Sequence, residues 1–88
     1  MLKVLDFYAT WCKPCKLIDS YLDEALKEVE FTVEKINVDK EEDLVQQYKI
    51  KAVPTLIVFK DDVQVDRITG TITPRQLLTK LKSYELNI

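Results

Sequence analysis

Eighty-eight residues, nearly half of them apolar and about a third charged, suffice for one hydrophobic core, so residues 1–88 are expected to fold as a single domain. Thirteen basic and fifteen acidic side chains give a net charge of −2 with no basic cluster. This argues against a nucleic-acid partner, which needs a patch of Lys and Arg to displace phosphate counterions. No apolar run approaches membrane-spanning length, and the opening Met1–Asp6 stretch is too short and too charged for an export signal. The expectation is a cytoplasmic chain with no membrane partner, monomeric by default.

The elements follow in chain order. Residues 3–9 are β-prone and almost wholly apolar, as in a strand covered on both faces, with Asp6 the exception. From Lys13 to Glu30 the residues Leu17, Ile18, Tyr21, Leu22, Ala25, Leu26 and Val29 recur at helical steps and make one stripe. Residues 31–38 read as a second strand. Asp39 and Glu42 fit a capping-box variant that opens a short helix through about Tyr48. Val53 precedes Pro54 and is therefore extended, leading into a third strand over 55–59. Asp61-Asp62 is a two-residue turn into a fourth strand, Val63–Ile68, although Asp62 stands where glycine is common, which implies a different or strained turn. Thr73, Pro74 and Gln76 supply an N-cap, a first-turn proline and a capping-box partner for a last helix. Its buried stripe is Leu77, Leu78, Leu81 and Tyr84. The order βαβαββα puts the loop after the first strand at that strand's carboxyl end, where open α/β sheets place their chemistry.

Trp11-Cys12-Lys13-Pro14-Cys15 occupies that loop and the start of the helix. Free N–H groups and the dipole at a helix amino end favour an anion, so the Cys12 thiol is expected to ionise below the usual ~8.5, with Lys13 pushing the same way. Cys15, one turn in, is expected to be shielded by Leu17 and Ile18. Cys12 would then attack a disulfide and Cys15 resolve the mixed disulfide. Pro14 stiffens the loop at little cost in the first turn. Three other readings stand beside this one. Zinc needs about four ligands, and the chain has two cysteines and no histidine, so a site would require a dimer or carboxylates. A structural disulfide would close a very short loop in a reducing compartment. Two inert buried cysteines would leave the Trp and the Pro without a purpose.

The segment Asp6–Lys16 resembles the active-site segment of the thioredoxin family. Lys35-Ile36-Asn37-Val38-Asp39 resembles that family's next strand, and Val53-Pro54-Thr55-Leu56 its cis-proline loop, followed by the matching hairpin, Gly70 and the last helix. The likeness runs over essentially the whole chain, which starts at what resembles the family's second strand. It implies a minimal α/β thioredoxin fold, a mixed four-stranded sheet flanked by three helices. It also implies that Asp6 is a buried carboxylate that exchanges a proton with Cys15, with Lys35 as its partner. Pro54 would be cis and face the dithiol, and the Val53 backbone would be free to pair with an extended substrate. Trp11, Lys13, Pro14, Ala52, Val53 and Gly70 would form the docking surface around Cys12. Lys13 replaces the family's usual glycine and so bears on redox poise.

The reading is a protein-disulfide reductase acting on disulfide-containing proteins and recycled by a flavin-dependent thioredoxin reductase, with no cofactor or metal of its own. A glutathione-linked, glutaredoxin-like reductase shares the element order but has a Pro-Tyr pair between its cysteines. A structural binding subunit using the same surface is the rival of another class. An oxidase or isomerase role is a third, weakened by the lack of an export signal.

Overall fold

The computed structural model describes residues 1–86. The elements are β1 (Leu2–Tyr8), α1 (Lys13–Ala25), β2 (Phe31–Asn37), α2 (Glu42–Gln47), β3 (Thr55–Lys60), β4 (Val63–Thr69) and α3 (Pro74–Leu86). The four strands form one sheet in the order β2-β1-β3-β4. β1 and β2 are parallel, as the helical crossover between them requires, while β1/β3 and β3/β4 are antiparallel. This is the mixed-sheet α/β fold expected from the order of elements.

Strand alternation divides the core into two layers. Leu2 and Val4 of β1, Leu56 and Val58 of β3 and Ile68 of β4 pack against Ile18, Leu22 and Ala25 of α1 and Leu77 and Leu81 of α3. Each of the Val, Leu and Ile side chains, fully buried, contributes roughly 1.5–3 kcal/mol. On the opposite face Leu5, Phe7, Ile36 and Ile57 meet Leu44 and Tyr48. The Tyr48 ring stands edge-on to Phe7 and Phe59, with centroids 5.8 and 6.2 Å away.

The last helix starts as its sequence dictates. Gln76 N–H donates to Thr73 Oγ1 at 3.1 Å and Thr73 N–H to Gln76 Oε1 at 3.2 Å, a complete capping box. Tyr84 near its end donates to Asp66 Oδ2 at 2.5 Å, tying the helix to β4.

Three expectations need correction. Helix α1 ends at Ala25, not Glu30, and residues 26–29 continue as tighter turns in which the N–H groups of Glu28 and Val29 both bond Ala25 O. Val29 is still buried by this path, but Leu17 and Leu26 are exposed, because the helix shows the sheet a narrower stripe than its apolar positions span. The Asp39–Glu42 capping box does not form. Helix α2 begins after Glu41 with no side-chain cap, and its first turn carries Glu42 and Asp43, whose charges suit the dipole. The β3–β4 turn is the strained two-residue turn that Asp62 implies: Asp61 and Asp62 take φ of 50° and 70°, in the left-handed region that glycine adopts more easily.

Candidate active site

The topology gathers four loops at one end of the sheet. β1 and β2 end there, antiparallel β3 begins there, and β4 returns there at Thr69, paired with Thr55. The loop after β1 is drawn tight by Cys12 N–H donating to Ala9 O at 3.1 Å. The loop after β2 is held by Val38 N–H on Tyr8 O at 2.9 Å, and Gly70 by its N–H on Pro54 O at 2.8 Å. Gly70 has φ +85°, a conformation that glycine adopts without steric penalty.

Cys12 is the N-cap of α1 and Pro14 lies in the first turn. The two sulfurs are joined as a disulfide, with Cα atoms 5.3 Å apart. Cys15 N–H donates to Cys12 Sγ at 3.2 Å, so the open end of the helix is aimed at the first sulfur and not the second. No acidic residue stands in the first turn to compete for that end. In this bonded state both cysteines are buried, 4% and 2% exposed, so accessibility alone does not distinguish them. Their neighbours are Ala9, Tyr8, Val38 and Val53. Leu17, expected to shield Cys15, is 56% exposed and turned away.

Around the pair lies a mostly apolar surface. Trp11 is 69% exposed, and its indole N–H donates to Asp39 Oδ2 at 3.1 Å. Asp39, read from sequence as a helix cap, thus holds the tryptophan. The same loop is stiffened by Asp39 N–H on Asn37 Oδ1 at 2.9 Å. A groove of about 250 Å³ runs beside Trp11, lined by Val38, Val45, Ile50, Lys51, Ala52 and Val53. The Val53–Pro54 bond is cis. Thr55 Oγ1 donates to Ala52 O at 2.7 Å, whereas Val53 makes no backbone–backbone hydrogen bond among the described residues. Lys13 and Pro14 are exposed at the rim, and Pro54 is buried behind it. Sequence reasoning missed Asp39 and the Val38–Ile50–Lys51 side of the groove. The signal for Asp39 was present, an acceptor at the end of the strand neighbouring β1, but a helix start explains an aspartate there equally well.

Two residues before Tyr8 on the same strand sits Asp6. Strand alternation places it on the α1 side of the sheet, between Val4 in the core and Tyr8 against the cysteines. It is 0% exposed, and among the described residues neither carboxyl oxygen has a hydrogen-bond partner. Burial, and then the neighbouring Asp19 carboxylate, push its carboxyl up to about 7, against the opposing charge of Lys35. Lys35 is the cross-strand partner of Asp6 in the β1–β2 register. Its ammonium does not bond Asp6 as expected. It bonds Asp19 Oδ2 at 2.8 Å and lies 4.8 Å from the centre of the Tyr8 ring. That bond pushes the Lys35 ammonium upward.

Comparison with known proteins agrees with this geometry. The thioredoxin family model matches residues 1–83. The thioredoxin of Mycobacterium tuberculosis is 37% identical over 87 residues, covering 97% of this chain and 75% of the relative. Chloroplastic thioredoxin Y1 of Arabidopsis thaliana is 35% identical over 81 residues, covering 90% of this chain, which spans 47% of its length. Among solved structures, a point-mutant thioredoxin from Halobacterium salinarum superposes with a TM-score of 0.91 at 31% identity, covering 99% of this chain and 77% of that one. Among the described residues no helix is long and apolar enough to cross a membrane.

Proposed function

The chain belongs to the thioredoxin family and is a thiol–disulfide oxidoreductase of the protein-disulfide reductase kind, and on that premise we propose how its residues divide the work. Cys12 is the nucleophile. In the reduced protein its thiolate is stabilised by the amino end of α1 and attacks one sulfur of a substrate disulfide. A bond forms between Cys12 Sγ and that sulfur while the substrate's other sulfur leaves as a thiolate and takes up a proton. Cys15 then gives its proton to Asp6, directly or through water, and attacks Cys12 Sγ. The substrate's second sulfur is released, and the Cys12–Cys15 disulfide is left. A carboxyl that ionises near neutral pH is suited to accept that proton and later return it.

Trp11, Lys13, Pro14, Ala52, Val53, Pro54 and Gly70 form the docking surface. The unpaired Val53 backbone supports recognition of an extended segment by main-chain bonds, with the groove beside Trp11 taking an apolar side chain. The observation that carries this division of roles is the asymmetric capping of α1, with Cys15 N–H on Cys12 Sγ. Family members reduce disulfide-containing proteins and are recycled by a reductase. For this chain we assign that step to a flavin-dependent thioredoxin reductase, in a reducing compartment such as the cytoplasm, with residues 1–88 acting as one monomeric domain. The comparisons do not favour the glutathione-linked or purely structural alternatives.

Equilibrating the chain with a dithiol buffer of known poise tests the reading. A reductase gives a potential at or below the cytosolic glutathione range, about −220 to −260 mV by extraction. A value well above that range contradicts the assignment in favour of oxidase or isomerase chemistry.

A further inference from the structure

The buried Asp6 has one cation within its register, and that cation is bonded to something else. Lys35 sits directly across from Asp6 on β2, yet its ammonium is drawn to Asp19 on α1 at 2.8 Å. Asp19 follows Cys15 by four residues, one helical turn, and so stands on the same side of α1 at the edge of the buried stripe. The pair is partly open to water, the Lys35 and Asp19 side chains being 47% and 37% exposed, whereas Asp6 is closed off with both oxygens unpartnered. An ion pair at the sheet margin thus takes the cation that stands in register with a buried carboxyl left without a hydrogen-bond partner among the described residues.

The charged groups acting on Asp6 among the described residues are Asp19 from α1 and Lys35 from β2, and the Lys35 ammonium also approaches the Tyr8 ring on β1. β3 and α3 give this layer apolar side chains, Leu56, Val58, Leu77 and Leu81. Tyr84 of α3 packs at the margin with its hydroxyl spent on Asp66. Asp19 is therefore the one anion acting on Asp6 among the described residues.

We propose that Asp19 is a positioning residue for the dithiol site: by bonding the Lys35 ammonium at the sheet margin, Asp19 holds that cation off the buried Asp6 carboxyl and so favours the carboxyl's protonated form. Lys35 alone, free to turn inward, would do the reverse and favour the ionised form. The two sheet-margin residues oppose each other, and their mutual bond decides which prevails. The direction agrees with the raised Asp6 carboxyl, in which Asp19 acts upward and Lys35 downward. The catalytic consequence rests on the reading of Asp6 as the acceptor of the Cys15 proton. The hold of Asp19 on Asp6 does not.

The direct test is the ionisation of Asp6, followed by its side-chain carboxyl carbon signal in NMR on the disulfide form, where neither cysteine titrates. Asp19→Asn lowers the Asp6 midpoint by on the order of one pH unit, Asp19→Glu leaves it within a few tenths, and Lys35→Met raises it. A purely structural role for the pair would not move the midpoint in opposite directions for the two partners. An Asp6 midpoint unmoved or raised in Asp19→Asn overturns the proposal. The kinetic arm separates it from the reading beneath it. In the reduced protein, the acid limb of mixed-disulfide resolution shifts to lower pH in Asp19→Asn and disappears in Asp6→Asn. If Asp6→Asn keeps the wild-type limb, the proton-acceptor reading fails while the NMR result still decides for or against Asp19.

Discussion

Asp6→Asn removes a carboxyl that the fold holds protonated up to about pH 7, against an ordinary value of 3.8. Between those two pH values the native state binds a proton that the unfolded chain has released, so wild-type stability falls as pH rises through this window. It is highest, as far as this group is concerned, below the unfolded value and is lost by the time the pH passes about 7. A gap of roughly three pH units at ~1.4 kcal/mol per unit amounts to roughly 4 kcal/mol, an upper figure if the carboxyl draws in water on ionising. The asparagine variant has no such dependence. Urea unfolding of both proteins in the disulfide form, from pH 4 to pH 9, should therefore show the variant gaining on the wild type by roughly 2–4 kcal/mol as pH rises. Asp61 and Asp66, whose carboxyls are held below their ordinary value, lose their contribution in acid, but they do so in both proteins and cancel in the difference. Asparagine's own fit in the site displaces the difference by a constant and does not tilt it. A difference that stays flat from pH 4 to pH 9 would refute the reasoning.

Three further outcomes follow from local geometry. Asp62→Gly relieves a left-handed residue in the hairpin turn and should stabilise the chain by about 0.5–1 kcal/mol in urea or thermal unfolding. Thr73→Ala removes the N-cap of α3 and should cost about 1 kcal/mol, with Thr73→Ser restoring most of it. Asp39→Ala frees the Trp11 indole by deleting one exposed hydrogen bond, which is worth about 1 kcal/mol at most. It should broaden the indole N–H NMR signal and raise KM for a protein disulfide a few-fold, with little change in kcat.

Much of this site is local, and local features are legible in a sequence. The Trp11–Cys15 run, the apolar first strand and the Thr73–Gln76 cap each declare themselves within a few residues, and each takes its expected place. Their convergence follows from parallel pairing of β1 with β2 and the antiparallel return of β3 and β4. What sequence did not disclose depends on contacts across many residues. Asp39 carries the same carboxylate whether it caps α2 or receives the Trp11 indole 28 residues away, and the structure chooses the indole. Lys35 has one cross-strand carboxylate in Asp6 and another on the helix in Asp19, and the exposed partner wins because pairing there does not require burying the ammonium. Leu17 and Leu26 fit the helical stripe by spacing, yet the sheet covers only its centre.

The central claim, that Cys12 attacks and Cys15 resolves, is tested most directly by trapping. Incubated with a disulfide-bonded protein, reduced Cys15→Ser should accumulate a mixed disulfide through Cys12, identified by mass spectrometry of the linked peptides. Cys12→Ser should accumulate little or none under the same conditions. Equal trapping by both variants, or trapping through Cys15 alone, would contradict the account.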